Sequence, residues 1–259
     1  MVTFFFGFVA ILLVVAGSLA GLVVVRKRVR FATLVKNHEV ADPLLSVVGT
    51  LFAILLGFLI AGAMSKFDEA RLNVNSEAGA VADLFRLSQG LPEPRRAALK
   101  TYCIAYVDTV LNEEWTLMEE KKASEKAWQQ YGEIWRMCLG YEPDTQGRSN
   151  VHQAMLAALS ELGNHRTLRL AAMQNNLPLG MWVLVIVGGL TTIAFTYFFA
   201  LESFRAQVIM TSVVATVLSL DVLLLANYDY PFSGDIRVQP RAFQLDQELF
   251  KALILPPKP

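Results

Sequence analysis

Few residues of this chain could do chemistry, and where they fall is informative. Asp221 is the one acid inside a long apolar run, and a carboxylate within a membrane span marks a pathway or an interface by default. Asn227, a few residues on, offers the structural alternative of a polar bond to a neighbouring helix. His38, Glu39 and Asp42 could supply metal ligands, yet three such residues in a polar loop are ordinarily solvated, and no metal site or cofactor is expected. Glu113, Glu114, Glu119, Glu120 and Glu125 read as solvating charges on exposed helix faces. The sequence has no phosphate-binding loop, no Ser-His-Asp pattern and no Cys-x-x-Cys pair, so it gives catalysis no support. Thr50, Ile54 and Phe58 stand at i, i+4 and i+8, nearly on one line of a helix. Spacing alone makes them a packing or lipid-facing stripe.

The elements that carry these residues are legible in the apolar runs. The chain has 259 residues, 54% hydrophobic and 18% charged, with no net charge. That is too apolar for an ordinary soluble domain, where about 25% of residues are charged. Disorder and nucleic-acid binding are excluded by the same balance, and two cysteines cannot make a disulfide scaffold. Thr3 to Val25 carries no charge and, at about 1.5 Å per residue, crosses a hydrocarbon core of about 30 Å. Leu44 to Ser65, Leu177 to Leu201 and Ala206 to Tyr228 are three further runs, the last broken only by Asp221. Ser18-Leu19-Ala20 loosely fits a signal-peptide cleavage site, which would leave three spans, but no basic residue precedes the run and it continues past the site.

The expected organisation is therefore an all-α membrane protein with four transmembrane helices in two hairpins around a helical extramembrane layer. Residues 1–65 form the first hairpin, 66–176 the layer, 177–228 the second hairpin and 229–259 a C-terminal tail. Between Lys66 and Asn176, 13 Lys and Arg face 15 Asp and Glu, the mixture of a folded soluble surface. Phe67, Val74, Val81, Leu84 and Phe85 make an apolar stripe on a helix continuing from the second span. Gly90 to Pro94 ends it, and Pro94 opens a helix to about Lys122 with Leu99, Cys103, Tyr106, Val110 and Leu117 on its inner face. Ser124 is suited to cap a third helix bearing Trp128, Tyr131, Ile134, Trp135 and Cys138. After a turn-rich break at Tyr141 to Gly147, a fourth runs from about Asn150 to Asn175.

Orientation stays open at this level. Arg26, Lys27, Arg28, Arg30 and Lys36 lie in the first hairpin loop and Arg205 in the second, whereas Lys66, Arg71, Arg166, Arg169, Arg237 and Arg241 flank the opposite ends, so the positive-inside rule ties. Cys103 and Cys138 are a disulfide if the layer is exported and reduced thiols if it is not; as a third reading they are two small buried hydrophobes.

Three stretches carry a family resemblance. The apolar run Phe52 to Leu56, Leu56-Gly57-Phe58, then Phe67 and Glu69-Ala70-Arg71 resemble the second transmembrane helix of bestrophins. Ser219-Leu220-Asp221 and Asp229-Tyr230-Pro231-Phe232-Ser233-Gly234 resemble the close of the fourth bestrophin helix and its acidic turn, and Leu177-Pro178 resembles the opening of the third. The whole is most similar to the bestrophin-like membrane family, a distant relative of the bestrophin ion channels.

The resemblance implies a homo-oligomer, pentameric as bestrophins are, in which Thr50, Ile54 and Phe58 form an apolar neck for small inorganic ions. It implies cytoplasmic termini and layer, in a bacterial inner membrane. Lys66, Asp68, Glu69, Asp221, Asp229, Pro231, Phe232 and Asp235 become candidates for a vestibule or gate. The acidic run of the animal calcium clasp is reduced to Asp235, so calcium gating is not expected. The partners implied are the lipid bilayer, further copies of the chain and ions. The alternative is a non-conducting scaffold whose helical layer, rich in Trp115, Trp128 and Trp135, binds another protein.

Overall fold

A computed structural model describes residues 2–29, 31–199, 201 and 203–254, and the side chains of all these except 2–4, 31–42, 45 and 254. Every regular element among them is helical. The chain divides into two compact units: Met1–Ser65, Asn176–Tyr230 and Gly234–Ile236 form the first, and Lys66–Asn175, Pro231–Ser233 and Arg237–Pro259 the second.

The first unit contains α1 (Val2–Arg28), the opening part of α2 (Phe31–Leu87), α7 (Leu179–Phe195) and α8 (Phe204–Tyr228). Four helices, Phe5–Arg28, Ser46–Gly90, Leu179–Phe198 and Phe204–Tyr228, are long and apolar enough to cross a membrane. Several of their polar side chains bond back to their own helices, which satisfies them where water is absent: Ser18 donates to the Val14 carbonyl at 2.7 Å, Ser219 to Ala215 at 2.7 Å and Asn227 to Leu223 at 2.8 Å. Small residues set the packing. Gly7 of α1 lies against Leu223 of α8, and a methyl group on Gly188 of α7 would run into the Phe52 ring of α2.

The loop of the first hairpin is shorter than expected. Charge at Arg26 to Lys36 reads as loop, but α1 runs through Arg28, α2 starts at Phe31 and continues through Pro43, and Lys36 is helical. No glycine interrupts that basic segment, and a helix end tolerates charge where it meets water. Arg30 lies outside the described residues.

The second unit contains the rest of α2, α3 (Arg95–Thr109), a five-residue π-helical stretch Val110–Glu114, α4 (Trp115–Glu119), α5 (Glu125–Leu139), α6 (Gln146–Ala172) and α9 (Arg241–Ile254). The expected Ser124 cap forms, its Oγ accepting from Ala127 N at 3.2 Å, whereas Pro94, expected as the first residue of its helix, falls one position before the start of α3. The stripe Val74, Val81, Leu84 and Phe85 is buried with Leu99, Tyr106, Ile134, Leu159 and Leu162 in one core. Cys103 and Cys138 are buried free thiols, and burial pushes the Cys138 thiol up to about 11.

α9 arises within the stretch expected as a tail. Its Phe250 stacks on Phe85, ring centroids 4.1 Å apart, and Phe243 is fully buried. Beside them Asp246 has one carboxylate oxygen buried without a hydrogen-bond partner among the described residues. Burial pushes its carboxyl up to about 7; Arg86 opposes the shift and Asp83 adds to it. The folded state therefore holds this proton more tightly than the unfolded chain, whose ordinary value is 3.8. The docking of α9 is expected to weaken as pH rises from about 4 to about 7 and to stay level above that. Asp246→Asn should flatten this segment of the pH–stability curve, measured by hydrogen exchange of α9 amides; an unchanged slope in the variant would sink the assignment.

Candidate functional site

The neck candidates lie on one uncovered face of α2. Phe58 is 75% exposed and Ile54 52%, and Thr50 is exposed with them. The opposite face is covered: Phe52, Leu56 and Ala63 are buried with Val185 and Leu225. Between the neck residues Gly57 has open space at its missing side chain, as does Gly62 a turn later.

The charged candidates scatter. Lys66 donates to the Asn175 carbonyl at 3.4 Å, and Asp68 pairs with Arg71 at 2.9 Å on the same helix. Glu69 is exposed. Asp221 is half-buried on α8 and has no hydrogen-bond or ion-pair partner among the described residues.

Asp229 is buried and fully engaged. Its Oδ1 accepts from Leu177 N at 2.7 Å, its Oδ2 from Trp182 Nε1 at 3.3 Å, and its backbone carbonyl accepts from Asn176 Nδ2 at 2.6 Å. A carboxylate that collects donors from the opening of α7 at the close of α8 fixes that hairpin. Phe232 is buried, its ring edge-on to Trp115 at 5.9 Å, and the carbonyl of the buried Pro231 accepts from Val238 N at 2.8 Å. Asp235 is half-buried and already engaged in a contact. Gly234 has φ 83°, a left-handed turn that disfavours any side chain. The metal trio His38, Glu39 and Asp42 lies outside the residues whose side chains are described; among those that are, no group of three or more His, Cys, Asp and Glu could hold a metal.

The strongest electrostatics of the molecule lies where sequence reasoning expected solvent. Glu114, Glu77, Arg166 and Arg169 are all fully buried. Arg166 grips Glu114 with both terminal nitrogens, at 2.8 and 2.6 Å. Arg169 grips Glu77 through Nε at 2.6 Å and Nη2 at 2.9 Å, and the same Nη2 reaches Glu114 at 2.7 Å. The Tyr106 hydroxyl donates to Glu77 at 2.5 Å and accepts from Arg166 at 3.0 Å, while Glu114 also accepts from Ser124 N at 3.0 Å. Trp128 lies 4.5 Å from the Arg166 guanidinium, a cation–π cover.

Two cations meet two anions, so the cluster is neutral. Burial by itself raises the Glu114 carboxyl, but Arg169 and Arg166 outweigh it and hold the group below the ordinary carboxylate range. Burial, reinforced by the Glu77 charge, pushes the Tyr106 phenol well up and keeps it a donor.

This placement corrects the expectation of an exposed Glu114, and the π-helical stretch is the cause. An unbroken helix through Leu99, Cys103, Tyr106 and Val110 would continue inward at Glu113 and Leu117. One extra residue in the turn at Val110–Glu114 shifts the inner face to Glu114, Trp115 and Met118. Arg166 and Arg169 likewise leave the tally of topogenic charges. Their signal in the sequence was faint: two arginines three apart on the helix that also carries the buried Leu159 and Leu162.

The chain is thus an integral membrane protein with four apolar helices and, between the second and third in sequence, a folded helical unit held by a buried ion network. Residues 12–243 match the Bestrophin-like domain, and the chain belongs to the bestrophin-like family. No curated protein matches it in sequence. A bacterial bestrophin homologue from Klebsiella pneumoniae, carrying a point substitution, is similar at TM-score 0.69 and 15% identity, over 95% of this chain and 98% of that one. Another structure of that homologue gives 0.64 at 16% identity over 94% and 96%. A third, described as a membrane protein, gives 0.66 at 15% over 95% and 98%. At such identities the likeness is one of fold.

Proposed function

We propose that the protein is a homo-oligomeric channel for small ions, pentameric, with α2 lining its axis and Thr50, Ile54 and Phe58 forming an apolar neck. The observation that carries this reading is the bare face of α2: a membrane helix exposing Phe58 at 75% and Ile54 at 52% while its other face is packed. Copies of one helix around a closed axis put such side chains into rings, and an apolar ring gates by dewetting. Gly57 and Gly62, open at their missing side chains, let a second copy approach closely. Asp68 and Glu69 follow the span on α2 and would meet ions at the mouth. Lipid covers the outward faces of the spans. The termini and residues 66–176 are cytoplasmic, at a bacterial inner membrane.

Reconstitution in liposomes tests the neck. Phe58→Ala and Ile54→Ala are expected to raise ion flux, by roughly tenfold if about 1.4 kcal/mol of barrier is removed. Intact oligomers that pass no ions, in wild type and in both variants, would leave the channel reading without support. A reporter fused after Pro259 checks orientation, and a periplasmic signal reverses it.

A further inference from the structure

In the second unit α2 and α6 run antiparallel. Lys66 bonds to Asn175 beyond the end of α6, and Gly90, past the end of α2, packs on Val151 near the start of α6. Much of the α2 surface buried here is small: Ala70, Val74, Ala78, Val81 and Ala82. Such a face has little relief, so its apolar packing resists sliding and rotation only weakly. Directional bonds must supply what shape does not.

Among the described residues two hydrogen-bonded pairs join these helices, and they cross; Arg166 lies farther from Glu77, at 4.0 Å. On antiparallel helices, rungs perpendicular to the axes would join Asn73 to Arg169 and Glu77 to His165. The observed bonds are the diagonals. His165 Nδ1 meets Asn73 Oδ1 at 3.0 Å, and Arg169 holds Glu77 with two nitrogens at 2.6 and 2.9 Å. A slip of α2 in one direction stretches the first diagonal, and a slip in the other stretches the second.

Both diagonals are anchored behind. Glu77 also takes the Tyr106 hydroxyl at 2.5 Å, Arg169 also binds Glu114, and His165 Nε2 lies 3.2 Å from Glu161. Neither acceptor on α2 is solvated, since Asn73 is nearly and Glu77 fully buried.

We infer that Asn73–His165 and Glu77–Arg169 form a crossed brace that fixes the axial register and rotation of α2. Asn73 and Glu77 are positioning residues for α2, one continuous helix from Phe31 to Leu87 that also carries Thr50, Ile54 and Phe58. The register lock stands on the geometry of this unit alone; its effect on ion passage rests on the channel reading.

Spin labels at Leu72→Cys and Ala157→Cys, both on exposed positions and offset by about 20 Å along the helix axes, read the register by pulsed electron paramagnetic resonance. The native thiols are buried and take no label. The labelled full-length chain is assembled with an excess of unlabelled chain, so that each oligomer reports one internal distance. The intact brace gives one narrow distance. Asn73→Ala/Glu77→Gln is expected to broaden it and to add a population displaced by several ångströms, the change that a slip of about 5.4 Å, one helical turn, makes in an oblique distance. Asn73→Ala alone keeps every ion pair, guards against loss of folding, and should broaden the distribution to one side. An unchanged narrow distance in either folded variant overturns the brace. In liposomes the double variant should change flux severalfold; a silent wild type defeats the channel reading, while the distance measurement still decides the brace.

Discussion

Arg169→Ala is expected to destabilise the helical unit by about 3–5 kcal/mol, the range found when one partner of a buried ion pair is removed. The substitution leaves Glu77, fully buried, with only the Tyr106 hydroxyl, at 2.5 Å, and a partner in Arg166 no closer than 4.0 Å. It also strips Glu114 of one of its two arginines and empties the volume between Trp115 and Phe243, which lie 5.8 and 6.0 Å from the guanidinium. Arg169→Lys keeps the charge but not the two-pronged grip, and should recover only part of the loss. Thermal unfolding in detergent, followed by tryptophan fluorescence, measures it. At roughly 2–4 °C per kcal/mol for a chain of this size, the midpoint should fall well outside error. A midpoint within a degree of wild type would mean that the network contributes little.

Gly163→Ala should also be disruptive, by less and for a different reason. A methyl group there would overlap the Tyr131 hydroxyl and come within 2.9 Å of its ring carbon Cζ. The ring has little freedom to retreat, because it is wedged edge-on between Trp128, at 5.8 Å, and Trp135, at 6.3 Å. Overpacking of this kind costs about 1–3 kcal/mol. The informative measurement is the pair Gly163→Ala/Tyr131→Phe. Removing the oxygen relieves the worst overlap, so the double variant should unfold at a higher temperature than Gly163→Ala alone. Additive losses would show that α5 and α6 adjust elsewhere.

Four membrane helices were legible in the sequence because each is a run of membrane-spanning length with no charge or, in the fourth, only Asp221, and the Ser124 cap because its residue type and position leave little choice. The continuation of α2 past Ser65 was legible too, through Val74, Val81 and Leu84. The buried network was not. Glu114 stands among four other glutamates in a polar segment, and periodicity places it outside unless one residue is set aside. Its partners Arg166 and Arg169, and Glu77 that shares Arg169 with it, are more than thirty positions away, so only the fold brings them together. α9 escaped for a related reason: Phe243 and Phe250 are sparse apolar residues in a mixed stretch, and what orders them is distant in sequence, Trp115 edge-on to Phe243 and Phe85 stacked on Phe250. As for the neck residues, the sequence could align them on a helix, whereas their exposure depends on which face α7 and α8 cover.

The stretch Val110–Glu114 has a consequence for comparing this chain with its relatives. A π-helical turn holds one residue more than the α-helical turn it replaces. Removing one residue there, the exposed Asn112 for instance, turns the stretch into ordinary helix while Tyr106 before it and Glu114 after it keep their facing. A one-residue gap therefore belongs at this point when a relative has a plain helix, and an ungapped alignment would set Glu114 against a surface position. The acid that matters would then look variable when it is merely displaced.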